Sequence, residues 1–254
     1  MKRALQCMMS FGDCIVSTPL SHAMALQNTD HTIPIITQAK YADAYTNLPW
    51  ISKVYNTPQE LPSEYEILDV TPYNYFWHYK AHNNEFSLID TIKERAKTIG
   101  IELKDQRPIF IPTDKEIETG YKYHQQSTKP ILAIESVHYS HESWWNLEAT
   151  KIIVDHYISK YNIIWLSNSD APASVDNGLR FSRRELLCIL NHSNLFYTSG
   201  SGFYTAALAI NTGTAKTICL WIDETYKYEK KINGLGWRPT TWVHNIAELE
   251  RTLE

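Results

Sequence analysis

Three stretches of this chain carry residue types and spacings that could do chemistry. The first is 194–210, NLFYTSGSGFYTAALAI, which reads as a short apolar strand (195–197), a turn of Thr198, Ser199, Gly200, Ser201 and Gly202, and an alanine-rich helix. A Gly/Ser turn in that setting leaves backbone N–H groups facing outward with no bulky side chain in the way. The helix dipole adds roughly half a positive charge at the same place. A phosphate or pyrophosphate suits such a turn; so does no ligand at all, with Ser201 as N-cap and the glycines serving close packing. The second stretch is Ser10-Phe11-Gly12-Asp13, which breaks the apolar run 4–9. A carboxylate at the carboxyl end of a strand opens into a crevice and can take a proton from a substrate. Asp13 is equally suited to cap a helix beginning near Cys14. The third is 71–84, TPYNYFWHYKAHNN, whose rings could stack on a flat or C–H-rich ligand or could pack as a surface loop.

The elements that must position these residues alternate strand and helix. Strands are expected at 4–9, 33–37, 53–55 and 66–70, with a helix over 15–26 that tolerates Pro19 in its first turns and a short helix near 41–46. Residues 86–99 form the clearest amphipathic helix, with Gly100 as its C′ stop. Residues 108–130 read as a connection that includes a polar helix over 114–126. A second series follows: strands at 131–134, 162–166, 195–197 and 217–221, helices over 147–161, 182–191 and 245–254, and a polar loop from Glu135. Ser182 and Glu185 stand at capping-box spacing. Such alternation predicts parallel sheets covered on both faces. The simplest division is an α/β domain at 1–115 and another at 116–254.

The 254 residues suffice for two small cores, and 43% hydrophobic with 20% charged residues is ordinary for a globular protein. A formal net charge of −4 gives no global basic character that would advertise nucleic acid. Cys7, Cys14, Cys188 and Cys219 form no CxxC pair and no zinc spacing, which fits a reducing cytosol. The basic, apolar N-terminus resembles a signal peptide, but Gly12-Asp13 interrupts it and no small-residue cleavage site follows. No run approaches the ~18 apolar residues of a membrane span. A cytoplasmic protein is expected. His78 and His82 are i and i+4 but have no third ligand within sequence reach, so no zinc site is expected. Arg183-Arg184 and 227–231 (KYEKK) read as solvated basic clusters, with a phosphate-contacting rim as the other reading.

With both halves laid out, the chain resembles the ADP-heptose:lipopolysaccharide heptosyltransferases, glycosyltransferase family 9. Phe11-Gly12-Asp13 through Thr18-Pro19-Leu20 is similar to the family's G-D-x-x-x-x-T-P. Asn47-Leu48-Pro49-Trp50-Ile51-Ser52-Lys53-Val54 resembles its NP-x-I-D-x-V, and 94–100 resembles its helix ending in L-G-I. Gly200-Ser201-Gly202-Phe203-Tyr204-Thr205-Ala206-Ala207 aligns without a gap to D-S-G-P-M-H-L-A, the nucleotide-phosphate turn. Gly200 stands where that motif has Asp, Thr205 where it has His, and 136–145 lacks the family's Lys before W-P. Donor identity is therefore left open.

The resemblance implies two Rossmann-like domains facing across a cleft (the GT-B fold) and transfer of a sugar from a nucleotide-diphosphate donor to an acceptor hydroxyl. In that reading Asp13 is the catalytic base. Gly12, Ser136, His138, Asn168, Ser169, Ser199, Gly200, Ser201, Gly202 and Thr205 hold the donor, and Tyr75, Trp77 and His78 line the acceptor side. No convincing DxD pair is present, so a metal-independent, inverting mechanism is expected, with no cofactor beyond the nucleotide sugar as co-substrate. The acceptor is a glycan of lipopolysaccharide type or a hydroxymethylated pyrimidine in phage DNA. The altered Gly200 and Thr205 also fit a non-catalytic protein that binds a nucleotide or sugar.

Overall fold

The computed structural model describes residues 2–72, 88–104, 107–136, 145–166, 171–199, 202–207, 209–210, 216–220 and 240–253. Two compact units divide the chain: one covers Met1–Ile111, and the other begins at Pro112. Each is built on its own parallel sheet.

In the N-terminal unit, β1 (Lys2–Gln6), β2 (Ile33–Ile36), β3 (Ile51–Tyr55) and β4 (Tyr65–Asp69) lie in the order β3-β2-β1-β4, every pair parallel. Ala4, Leu5, Ile33, Ile35 and Ile36 are fully buried, as expected of strands covered on both faces. The chain steps outward from β1 to β2 to β3 and then returns to the far side of β1 as β4. That reversal makes the carboxyl end of the β1/β4 pair a topological switch point, where open α/β sheets form crevices.

The single helix expected over 15–26 is in fact two, α1 (Phe11–Val16) and α2 (Thr18–Ala25), which meet at Ser17. Pro19, in the first turn of α2, has no N–H to offer the Ile15 carbonyl four residues back. The Thr18 hydroxyl donates to that carbonyl instead, at 2.7 Å, and accepts the Ile109 N–H at 2.7 Å. The Thr-Pro pair therefore ends one helix, starts the next and ties down the chain leaving this unit. Asn47 adopts a left-handed φ of 63° and donates its side-chain N–H to the Ile111 carbonyl at 3.2 Å, holding the same exit segment. Helix α3 (Leu88–Thr98) stops where expected, with Gly100 at φ 76°.

The second unit comprises α4 (Asp114–Gln126), β5 (Ile131–Glu135), α5 (Leu147–Tyr157), β6 (Asn162–Trp165), β7 (Asp176–Asn177), α6 (Arg183–Asn191), β8 (Leu195–Thr198), α7 (Gly202–Ala207), β9 (Lys216–Leu220), β10 (Thr240–Val243) and α8 (Ile246–Leu253). Its six strands run in the order β10-β9-β8-β5-β6-β7, all parallel. Leu132, Ile134, Ile153, Trp165, Tyr197 and Leu249 meet in one buried cluster. Strand β5 is central: the chain moves from it to β6 and β7, then reverses and adds β8, β9 and β10 on the other side. The second switch point is therefore the carboxyl end of the β5/β8 pair.

Helices α4 and α6 cross closely at Gly120, where an added Cβ would lie 2.7 Å from the Cys188 carbonyl oxygen. The buried Arg184 spans the same crossing, with its Nε 2.7 Å and Nη2 3.1 Å from the two oxygens of Glu116. Glu116 also closes the α4 capping box on Thr113. Burial pushes the Glu116 carboxyl up, but the Arg184 guanidinium and the Thr113 donors hold it below the usual range. Ser182 and Glu185 form the capping box of α6 that their spacing predicts.

Candidate functional site

The two motifs singled out by residue type lie at the two switch points, each within its own unit. At the carboxyl end of β1, Ser10 caps α1: its hydroxyl accepts the Asp13 N–H at 3.2 Å and donates to Asp13 Oδ2 at 2.5 Å. Helix α1 thus begins before Cys14, and its cap is Ser10; Asp13 is the third residue of the first turn. A carboxylate is favoured there by the partial positive charge of the helix start. Asp13 is only 5% exposed, and Gly12 is buried beside it. Thr71, which follows β4, accepts the Met8 N–H at 3.1 Å, so the segments leaving β1 and β4 are tied together beneath the motif.

Behind Asp13 lies a buried polar cluster. Ser17 Oγ and Tyr45 Oη are 2.7 Å apart, and Cys14 Sγ is 3.3 Å from Thr37 Oγ1. Burial first, then the neighbouring Cys14 and Asp13, pushes the Cys7 thiol well above its ordinary range. Burial does the same to the Tyr45 phenol. Cys7 and Tyr45 therefore remain neutral, and the Ser17 hydroxyl donates to the Cys14 carbonyl at 2.8 Å, fixing the α1 backbone from behind.

At the other switch point the chain has done something its residue pattern did not disclose. Glu135, expected to open a polar loop, is the last residue of β5 and is 1% exposed. Its Oε2 accepts the Thr198 hydroxyl at 2.6 Å, and its Oε1 accepts the Phe203 N–H, in the first turn of α7, at 3.3 Å. Burial raises the Glu135 carboxyl to about 7, while the Thr198 hydroxyl and the Phe203 and Tyr204 N–H groups pull it back down. An internal acid therefore already occupies one first-turn amide of α7, the Phe203 N–H. The Ser199 N–H is also committed, donating to the Glu135 carbonyl at 3.1 Å in continuation of the β5/β8 ladder. The signal for Glu135 was a lone acid directly after four apolar residues, at the end of a strand expected to pair with the one before the turn.

Among the predicted donor contacts, Ser136 and Ser199 are buried at the ends of β5 and β8, Gly202 opens α7, and Thr205 is half-buried within it. The second unit thus gathers Ser136, Ser199, Gly202 and Thr205 around one sheet edge, while Gly12 and Asp13 occupy the corresponding edge of the first. His138, Asn168, Ser169, Gly200, Ser201, Tyr75, Trp77 and His78 lie outside the described residues. No group of three or more His, Cys, Asp or Glu side chains that could hold a metal ion occurs among the described residues. Among those residues, no helix is long and apolar enough to cross a membrane.

An α/β chain with two parallel sheets, each carrying a chemistry-bearing motif at its switch point, is a fold shared with solved glycosyltransferases. Its structural neighbours include glycosyltransferase family 9 proteins. The family 9 glycosyl transferase of Veillonella parvula DSM 2008 superposes with a TM-score of 0.65 at 12% identity, over 96% of this chain and 87% of that one. The E. coli ADP-heptose lps heptosyltransferase II gives 0.60 at 12% identity, over 100% and 96%. The E. coli heptosyltransferase WaaC with ADP gives 0.59 at 10% identity, over 98% and 94%. No protein-family model matches the chain, and no curated protein sequence matches it. The likeness is one of fold.

Proposed function

We propose that the protein is a metal-independent, inverting glycosyltransferase of GT-B architecture that moves a sugar from a nucleotide-diphosphate donor to a saccharide hydroxyl. One observation carries this reading: in a chain with the fold of family 9 enzymes, Asp13 lies at one switch point and Ser199, Gly202 and Thr205 at the other. Asp13 takes the proton of the acceptor hydroxyl as its oxygen bonds to the anomeric carbon. The bond from that carbon to the diphosphate breaks, and the nucleoside diphosphate leaves with the electron pair. The carboxyl-end residues of the second unit, Ser136, Ser199, Gly202 and Thr205, are the donor's side of the site.

The internal Glu135 favours a second reading. Its carboxyl accepts the Phe203 N–H, an amide at the start of α7, which fits a protein that keeps the fold and binds a sugar or nucleotide without turnover. One experiment separates the two. The wild type and Asp13→Asn are titrated calorimetrically with ADP, UDP and GDP, and turnover is followed with the matching nucleotide sugars. A matched nucleotide sugar at a hundred times its dissociation constant adds about 2.7 kcal/mol of stability. The enzyme reading expects Asp13→Asn to lower turnover by roughly 10²–10⁴-fold while leaving nucleotide affinity unchanged. Binding without turnover in the wild type establishes the second reading. Turnover unaltered by Asp13→Asn removes Asp13 as base.

A further inference from the structure

A cavity of about 720 Å³ opens in the second unit, on the amino edge of its sheet, away from the β5/β8 switch point. It is bounded by the last turns of α4, the segment after α5, the start of β6 and residues 174–181. The volume is that of a small-molecule site.

Its walls combine aromatic rings with hydrogen-bonding groups, most of whose charges have a partner. Tyr123 and Phe181 meet edge to face at 5.8 Å, and Tyr161 contributes a further ring. Asp176 accepts from the Tyr123 hydroxyl at 2.9 Å and from both terminal nitrogens of Arg180, Nη2 at 2.7 Å. The Arg180 guanidinium in turn lies 4.5 Å over the Phe181 ring. Burial and the Asp176 acceptor push the Tyr123 phenol up, so it stays a neutral donor. The two lysines on the wall are engaged too: Lys122 pairs with Glu118 at 2.6 Å, and Lys129 donates to the Ile158 carbonyl at 3.3 Å. The carboxyl ends of α4 and α5 face this edge and offset the lysine charge further.

An ion would have to compete with the charged partners that Asp176, Arg180 and Lys122 already have. A neutral polyhydroxylated ring would not: it brings donors and acceptors together for Asn162, Gln126 and the Asp176–Arg180 pair, and its C–H face suits an aromatic wall. We propose that this cavity is a saccharide subsite that takes a neutral hexopyranose unit. It is independent of the donor chemistry, since it uses none of the residues assigned to the nucleotide sugar.

The test is ligand-observed NMR on the full chain. The probes are methyl glycosides of glucose, galactose, mannose and N-acetylglucosamine, the trisaccharides of glucose and N-acetylglucosamine, and glucose 6-phosphate as the anionic control. Ser174→Trp and Gln126→Trp, both at exposed positions lining the cavity, place a large ring in it. A neutral glycoside is expected to show saturation transfer at millimolar concentration, and each tryptophan to weaken its binding at least tenfold. Excess ADP or UDP is expected to leave that signal in place. Binding by trisaccharides alone supports the subsite and assigns it to a glycan chain; binding by monosaccharides assigns it to a free sugar. The proposal is overturned if no neutral sugar binds, if neither tryptophan alters binding, if a nucleotide displaces the sugar, or if only the phosphate ester binds. These outcomes do not depend on turnover, so they stand apart from the fate of the glycosyltransfer reading.

Discussion

The two switch points solve the same electrostatic problem in different ways. Helices α1 and α7 are each six residues long, and each begins at the carboxyl end of a central strand with a carboxylate near its first amides. In α1 the acid belongs to the helix itself: Asp13 is held by Ser10, three residues away. In α7 the acid comes from the neighbouring strand: Glu135 reaches Phe203 from 68 residues earlier. Both acids are buried, Asp13 at 5% exposure in the first turn of its own helix and Glu135 at 1%. Burial raises the Glu135 carboxyl to about 7. At α7 the borrowed acid already accepts a first-turn amide, the Phe203 N–H, so any anion placed there meets Glu135.

A third carboxylate shows what decides the outcome. Glu116 is also half local and half distant, capping α4 on Thr113 while bound to Arg184 on α6. Unlike Glu135 it has a cation, and its carboxyl is held low where that of Glu135 is raised. Arg184→Ala should therefore give the largest loss of stability among the substitutions considered, about 3–5 kcal/mol in urea unfolding, because it leaves Glu116 without its charge partner. The sign follows from the lowered carboxyl: the pair's contribution is present above the ordinary carboxylate range and is lost on acidification through the lower folded value. If Arg184→Ala costs under about 1 kcal/mol, the pair behaves as a solvent-exposed one, and the contrast with Glu135 collapses.

How far these arrangements were legible in the chain follows the range of the forces involved. Ser182 with Glu185, and Gly100 as a stop, act within one turn of helix, and both stand in the structure as their spacing implies. Pro19 was visible, but its consequence was not. Whether a proline lies within a first turn or begins a second helix depends on the Thr18 hydroxyl taking over the Ile15 carbonyl. Strands β7 (Asp176–Asn177) and β10 (Thr240–Val243) escaped notice because one is two polar residues long and the other carries no apolar run. Glu135 is hidden in the sequence for a related reason. An acid after ILAI reads as a loop unless one knows that Thr198 and Phe203 will close over it, and that requires the β5/β8 pairing.

Glu135 itself offers the next test. Its folded carboxyl titrates near 7, against an ordinary value of 4.5. Between those values the folded protein holds a proton that the unfolded chain has released. Stability is therefore highest below about pH 4.5 as far as this group is concerned, and falls as pH rises to about 7, by about 3 kcal/mol. Glu135→Gln removes the titration, so the difference in stability between mutant and wild type should shift in the mutant's favour across that window. Chemical unfolding at a series of pH values measures it. A difference that stays flat with pH would mean that the buried acid is ionised throughout at little cost, and α7 would then resemble α1 after all.

The smallest effect asks whether the local acid is as self-contained as its geometry implies. Ser10→Ala removes the α1 cap and the hydroxyl that holds Asp13 Oδ2, and should cost about 1 kcal/mol. Thr198→Val is its counterpart at the other switch point, removing the hydroxyl from Glu135 while keeping the β-branched shape. A donor lost at the fully buried Thr198 leaves a gap that no water fills, whereas Ser10 is only half-buried. Thr198→Val should therefore cost more than Ser10→Ala, and its cost should grow above pH 7, where Glu135 is ionised. Ser10→Ala should instead show itself in the reaction: with Asp13 no longer oriented, turnover should fall while nucleotide affinity is unchanged. Should Ser10→Ala prove the costlier of the two in stability and leave turnover intact, Asp13 would be a helix-capping group and the acid-bearing crevice of the first unit would lose its catalytic meaning.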